Sequence, residues 1–185
     1  VAPLLGRYSL VTGDDRGRIV QWSALVNADE TRFVAIRSFD VERSVVQLVT
    51  EPRRKGFLSL ADNGELSLLY PTSGRLLDQR MSDLTAATPI TVAPRSNLLI
   101  APKSDGRVMT YGLDNQHPEI SWGALWAKVW YEGYEEPIYS WQSSSADNDF
   151  EPKFSLAPLA FGTIKAAFYA LLFAVPIGLQ TAKHR

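Results

Sequence analysis

The sequence predicts a mainly β chain: a partial β-propeller of about three four-stranded sheets, then a short aromatic amphipathic segment and one C-terminal helix. Three observations predict this class. Short alternating apolar runs fill residues 8–111, a glycine turn recurs three times among them, and residues 156–182 are almost wholly apolar. The predicted divisions are therefore residues 1–115, 116–155 and 156–182, with residues 183–185 interpreted as a tag.

Ten short runs have the length and composition of β-strands. Each is rich in branched or aromatic residues and is bounded by turn residues, and no helical pattern of useful length occurs among them. The runs cover residues 8–12, 19–22, 33–37, 45–49, 57–60, 66–70, 75–79, 89–92, 98–101 and 108–111. Their number and regular spacing favour a β architecture built from hairpins.

A similar turn occurs three times between these runs. The three stretches are DRGRIV at residues 15–20, DNGELS at 62–67 and SDGRVM at 104–109. A polar residue such as Asp or Asn followed by Gly supplies the positive φ that a tight hairpin turn requires. Aligned on their glycines, the stretches lie 47 and 42 residues apart. The chain therefore contains an internal repeat.

The repeat has the spacing of β-propeller blades, which carry about four strands in 40–50 residues. One unit, residues 43–79, contains all four predicted strands, with an outer turn at residues 71–74. The pattern looks like a WD40-like or quinoprotein-like propeller, although the Gly-His and Trp-Asp dipeptides of WD40 repeats are absent. An open β-sandwich with hairpins is the alternative.

Three blades are too few for a closed ring, since propellers have four to eight. We expect the first repeat to lack its opening strand, because the chain begins almost at the second strand of a blade. A piece of a larger propeller would expose edges that invite pairing with another chain. We therefore expect a dimer in which two sets of three blades complete one ring. A stable monomer in light scattering at micromolar concentration would contradict this expectation.

The segment between the repeats and the apolar C-terminus is rich in aromatic residues. Trp122, Trp126 and Trp130 recur at helical spacing, which predicts a short amphipathic helix over residues 121–131. A polar linker follows at residues 142–149. Two interpretations stay open. The aromatic helix lies on a bilayer surface, where Trp and Tyr are enriched, or it covers the bottom of the propeller, and the two can hold together.

The C-terminal segment is long and apolar enough to cross a membrane. Residues 166–179 carry no charge, and about 20 mostly apolar residues suffice for a helix to span the bilayer core. Pro176 does not argue against a span, because proline is more frequent in membrane helices than in soluble ones. The alternative is a buried helix of a soluble protein, which Thr163, Lys165, Thr181 and the interruption at Pro176 keep open.

Two elements in this region carry a resemblance to a known family. PLAFGT at residues 158–163 opens the apolar segment, and ALLFAVPIGL at residues 170–179 runs through it. In order and spacing they resemble the start of the transmembrane domain of binding-protein-dependent ABC importers. The chain is most similar to the phosphate importer's permease subunit of the PstC type. KVWYEGY at residues 128–134 is similar to its large bacterial forms, which carry an inserted WD40-like domain.

The resemblance implies a function and a location. The chain would be part of a permease subunit in the bacterial inner membrane, with the propeller on the periplasmic side. The implied partners are membrane lipid, a second permease subunit, a cytoplasmic ATPase subunit and a periplasmic phosphate-binding protein, with the propeller as docking or scaffold module. The alternative is a membrane-anchored propeller that serves as a scaffold of the cell envelope and has no role in transport.

Lys165 is the one candidate site residue. A cation within a membrane span is often functional, and in a phosphate permease it could attract the anion near the outer mouth of the path. The alternative is that its long side chain reaches the interface or packs against a neighbouring span. The sequence predicts no catalytic residue and no metal ligand.

Composition excludes several other function classes. The net charge of −1 gives no basic patch for nucleic acid, and the absence of cysteine removes disulfides and thiolate chemistry. The two histidines, His117 and His184, lie far apart, so no catalytic triad is indicated and no enzyme or cofactor is expected. Charge clusters are interpreted as solvated loops. They are Arg53-Arg54-Lys55, Glu135-Glu136 and Asp14-Asp15.

Overall fold

The computed structural model describes residues 1–26, 30–103, 105–147 and 149–183. In these residues the chain is mainly β, with four antiparallel sheets and one long C-terminal helix. Of the three residues interpreted as a tag, Lys183 is the last residue of this helix, and His184 and Arg185 lie outside the described residues. Within the described residues none of the sheets closes on itself, so the predicted propeller is not confirmed.

The first two sheets each contain four strands in sequence order. Sheet 1 is formed by β1 (Ala2–Pro3), β2 (Ser9–Gly13), β3 (Arg18–Val26) and β4 (Thr31–Asp40). Sheet 2 is formed by β5 (Val45–Thr50), β6 (Phe57–Ala61), β7 (Glu65–Tyr70) and β8 (Arg75–Met81). All neighbouring strands are antiparallel, as hairpin connections require.

The remaining sheets are smaller. Sheet 3 is formed by β9 (Thr91–Val92), β10 (Leu98–Pro102) and β11 (Val108–Gly112). Sheet 4 pairs β12 (Trp141–Gln142) with β13 (Lys153–Phe154). The two helices are α1 (Trp122–Trp126) and α2 (Ala157–Lys183).

A strand lies at each of the ten predicted positions, because the alternating pattern is a local signal, although the strand predicted over residues 89–92 covers only Thr91–Val92. Three expectations were wrong. The first sheet does have an opening strand, since Ala2 and Pro3 pair with Val11 and Leu10. The expected aromatic helix over residues 121–131 ends at Trp126, because the chain then extends into a bridge with a later segment. In addition, sheet 3 has three strands in the described residues where four were expected.

The internal repeat is visible in the backbone. In each of the three larger sheets, the loop between the first two strands is closed by the same main-chain hydrogen bond, from an N–H before the loop to a carbonyl after it. The bonds run from Leu4 to Ser9, from Glu51 to Gly56 and from Ala93 to Leu98, at 2.8–2.9 Å. The three glycine turns also match. Gly17, Gly64 and Gly106 have φ of 80–86°, as the sequence predicted for tight hairpins.

The hydrophobic core lies between neighbouring sheets. One cluster joins sheets 1 and 2, and includes Val11, Ile19 and Phe57. The other joins sheets 2 and 3, and includes Leu60 and Leu99. The first strand of sheet 2, β5, contacts β1 and β2 on one side and β9 on the other. Sheet 2 is therefore the middle member of a side-by-side array.

The antiparallel order gives this array two different ends. The glycine turns after β2, β6 and β10 lie at one end, which we call the distal end. Residues 4–8, 51–56, 71–74 and 93–97 lie at the opposite, proximal end. The segment from residue 114 to residue 155, which we call the strap, leaves β11 at the proximal end and crosses it before α2 begins.

Candidate functional site

Helix α2 is the feature with the clearest functional meaning. Its 27 residues include no buried side chain, and every described residue from Phe161 onward is exposed. It is long and apolar enough to cross a membrane, and its apolar stretch packs against no other part of the described chain. The alternative of a helix buried in this chain's own core therefore does not describe this structure.

Lys165 lies on α2, eight residues after the helix begins, or about 12 Å along the axis. Its side chain is exposed, and its Nζ atom lies 6.0 Å from the centre of the Tyr169 ring. No carboxylate is paired with it among the described residues. Its predicted role as an anion-attracting residue stays a prediction.

The base of α2 is fastened to the strap by main-chain hydrogen bonds. The Leu156 N–H donates to the Leu125 carbonyl at 2.8 Å, and the Ser155 N–H donates to the Ser140 carbonyl at 3.0 Å. Ser121 is the N-cap of α1, and its Oγ atom accepts a hydrogen bond from the Ala124 N–H at 3.0 Å. Because the two residues before it are bonded to α1 and to the strap, α2 starts from a fixed position.

Four exposed aromatic side chains lie on the two strap segments that are bonded to this base. Trp122 and Trp126 project from α1, while Tyr139 and Trp141 lie on one face of an extended segment. Trp122 is 81% exposed and the other three are between 44% and 48% exposed. The Trp141 ring meets the Phe154 ring edge to face, with centroids 5.6 Å apart. We call these four residues the aromatic belt.

Beneath the strap, a buried ion pair binds it to the sheets. Lys55, from the β5–β6 loop, donates to Glu132 Oε2 at 2.6 Å and to the Leu5 carbonyl at 2.5 Å. Both side chains are nearly inaccessible to solvent. Glu132 also accepts from the hydroxyl of Ser9, which in turn accepts from Gln21. The pair thus connects sheet 1, sheet 2 and the strap at one point.

A second buried carboxylate lies beside this pair. Glu151 accepts from the Thr72 hydroxyl at 2.6 Å and from the Glu132 N–H at 2.9 Å. Burial, and then repulsion by Glu132, raise the pKa of Glu151. Arg37 opposes this shift, and burial in turn lowers the pKa of Arg37. Arg37 donates to the Trp130 carbonyl at 3.0 Å, which adds a further tie to the strap.

Lys153 lies among aromatic rings on the same side. Its ammonium is 5.3–6.0 Å from the ring centres of Phe150, Tyr131 and Tyr134, and it donates to Gln142 Oε1 at 3.0 Å. Burial lowers the pKa of Lys153, an effect that nearby Glu151 opposes. Cation–π contact with several rings partly replaces the water that this ammonium has lost.

An open cavity of about 450 Å³ lies against these residues. Two lysines and four carboxylates line it, so negative charges outnumber positive ones. They are Lys55, Lys153, Glu132, Glu151, Asp147 and Asp149. Because the lysines already have partners, the cavity does not favour an anion such as phosphate. Among these charges, the Lys55–Glu132 pair and Glu151 hold the strap to the sheets.

A separate polar cluster fixes the start of the strap. Asn115 donates to Glu51 Oε1 at 2.6 Å and accepts twice from Arg54, at 2.7 and 2.8 Å. Burial raises the pKa of Glu51 to about 7, while Arg54 and Asn115 oppose the shift. Glu51 Oε2 and Ser96 Oγ are buried without a hydrogen-bond partner in the described part of the chain.

Sequence reasoning missed most of these groups. The cluster Arg53-Arg54-Lys55 was interpreted as a solvated loop, which is wrong for two of its members: Lys55 is buried and Arg54 is half-buried. The interpretation is confirmed for Glu135-Glu136 and Asp14-Asp15, which are exposed. Glu132 and Glu151 gave no signal, because their partners lie far away in the chain.

No group of three or more His, Cys, Asp or Glu side chains within the described ranges is placed to hold a metal ion. A scan of the chain against protein-family models finds no match, and a search of curated proteins finds no matching sequence. The case for a function therefore rests on the residues and their geometry.

Proposed function

We propose that this chain is part of the membrane permease subunit of an ABC importer, with inorganic phosphate as the transported ion. The observation that carries the proposal is α2, a 27-residue apolar helix with no side chain buried against the rest of the described chain. About 20 such residues cover a bilayer core, and exposed apolar surface of this length needs lipid or a neighbouring span. The motif order that resembles ABC permeases lies within this helix.

The sheet array supplies the second part of the proposal. Its three larger sheets lie side by side and repeat the same loop hydrogen bonds, as successive propeller blades would. We infer that they are blades of a propeller on the periplasmic side of the bacterial inner membrane, where they act as a docking or scaffold module for the phosphate-binding protein. The strap couples such docking to the span, because buried ionic contacts tie it to the sheets.

The test is the uptake of radioactive phosphate by cells that carry the gene encoding this chain, compared with cells that lack it. We expect cells with the gene to accumulate phosphate faster than cells without it, and sulfate uptake to stay unchanged. Lys165→Met is expected to lower the rate several-fold, since it removes a cation from the span, whereas Lys165→Arg keeps the charge and the rate. Equal uptake by Lys165→Met and the unchanged protein would remove Lys165 from the anion path.

A membrane-anchored scaffold without transport is the competing function, and the same experiment separates the two. Phosphate uptake that is independent of the gene, together with recovery of the protein in the membrane fraction, would favour the scaffold. Recovery of the protein in the soluble fraction would contradict both.

A further inference from the structure

We propose that the aromatic belt is seated at the headgroup–acyl boundary of the membrane that α2 crosses, so that the proximal end of the sheet array rests on lipid. This inference rests on the proposed function, because it takes α2 as a membrane span. It adds a second lipid contact and a fixed orientation for the sheets. The partner is the lipid surface itself.

The position of the belt relative to the span is the first argument. The helix has 27 residues, or about 40 Å of length, whereas the hydrocarbon core is about 30 Å thick. Centred on that core, the helix extends beyond it by about 5 Å, or roughly one turn, at each end, which puts its first turn at the membrane surface. The belt helix α1 is one hydrogen bond away from that turn, through Leu125 and Leu156. The depth of the span thus sets the depth of Trp122 and Trp126.

The chemistry of the belt is the second argument. Trp and Tyr are enriched at membrane interfaces, where an apolar ring meets a polar rim. All four belt residues are of these two types and all are exposed, although Ala124 and Val129 of the same region are buried. Lys128 lies beside the belt, with its Nζ atom 6.0 Å from the Tyr139 ring, and can meet lipid phosphate.

The rigidity of the strap is the third argument. The Val129–Ile138 bridge and the Lys55–Glu132 ion pair hold the strap to itself and to the sheets. The belt therefore cannot fold away from the membrane while α2 spans it. The rings are held in a fixed position at the surface, and the sheets above them are held as well.

Spin labelling of the full chain in phosphatidylcholine vesicles tests the proposal. The chain has no cysteine, so single labelling sites are introduced directly. Gly123→Cys reports on the belt without removing a tryptophan, because a Cβ there meets only Ser121 Oγ, at 3.7 Å. Phe173→Cys reports on the middle of α2, and Asp62→Cys reports on an exposed distal turn.

Collision of each label with oxygen and with a water-soluble nickel complex gives its depth. We expect the oxygen-to-nickel ratio at Gly123→Cys to lie between the high value at Phe173→Cys and the low value at Asp62→Cys. A Gly123→Cys ratio equal to that of Asp62→Cys, with Phe173→Cys still in lipid, would overturn the belt but leave the span intact. Free access of nickel to Phe173→Cys would overturn the proposed function itself. A Gly123→Cys label shielded from both reagents would indicate a protein partner and would also overturn the lipid contact.

A second variant tests whether the tryptophans hold this position. Trp122→Ser and Trp126→Ser are combined with Gly123→Cys, and both replaced side chains are exposed, so the fold is expected to persist. The ratio at Gly123→Cys should then fall toward the Asp62→Cys value, while Phe173→Cys is unchanged in the same background. An unchanged ratio at Gly123→Cys would contradict an anchoring role for these rings.

Discussion

The sheet array and helix α2 are both rich in large apolar side chains, leucine above all, but these side chains are buried in the sheets and exposed in the helix. In the sheets, leucines such as Leu58, Leu60 and Leu99 lie between neighbouring sheets and are almost inaccessible. In α2, Leu171, Leu172 and Phe173 are more than half exposed. Folding removes the apolar side chains of the sheets from water, whereas those of α2 can be removed from water only by contact with lipid or with another protein segment. The two regions therefore depend on different solvents for their stability.

The same substitution in each region gives the largest contrast. Leu60→Asp places an unpaired charge in the core between sheets, and we expect it to unfold the array at a cost of about 4 kcal/mol or more. Leu172→Asp should leave the thermal unfolding of the sheets unchanged and instead oppose membrane insertion by about 3 kcal/mol. Circular dichroism and membrane fractionation measure the two effects. A large loss of sheet stability in Leu172→Asp would mean that α2 packs against the sheets.

Removing a buried charge should also lower the stability of the array more than removing a surface charge. Lys55→Met leaves the Glu132 carboxylate buried without its partner, so we expect the free energy of unfolding to fall by about 3–5 kcal/mol. Arg80→Met is the matched control, since the Arg80–Asp78 pair is half-exposed and should contribute less than about 1 kcal/mol. Urea unfolding in detergent gives both values. Similar losses in the two variants would contradict a fastening role for Lys55.

The smallest effect is expected from pH acting on Glu51. Because the pKa of Glu51 is raised from 4.5 to about 7, the folded chain holds this proton more tightly than the unfolded chain. The contribution of Glu51 to stability therefore falls as pH rises from about 4.5 to about 7. Glu51→Gln keeps an acceptor for Asn115 without the charge, and should be more stable above pH 7 by about 3 kcal/mol at most.

Unfolding of Glu51→Gln at pH 4 and at pH 8 measures this difference. The exposed Glu135→Gln is the control and should show no such pH dependence. Equal stabilities of Glu51→Gln and the unchanged chain at both pH values would show that Glu51 is well solvated in the native state.

Much of the fold could be predicted because it follows from local patterns. Alternating apolar residues mark each strand, the glycines mark the turns, and the uncharged run at residues 166–179 marks α2. The opening strand β1 has only two residues, too few to show any alternation. The end of α1 depends on Val129 pairing with Ile138, a contact that helical spacing does not reveal.

The ionic contacts under the strap were beyond sequence reasoning for a similar reason. A lysine within a run of basic residues is normally solvated, and Lys55 becomes buried only because Glu132, 77 positions later, reaches it. Glu151 and Thr72 are 79 positions apart. Such pairs are set by how the strap crosses the proximal end, which the spacing of residues does not determine.

Only Ser155 and Leu156 separate the last strand of the strap from α2, and main-chain hydrogen bonds occupy both residues. No flexible linker therefore separates α2 from the strap, and the helix cannot rotate independently of it. A rotation of α2 about its axis would therefore turn the strap and the sheet array with it, and a torque on the sheet array would be transmitted to α2. This two-residue junction therefore links the orientation of α2 to that of the sheet array.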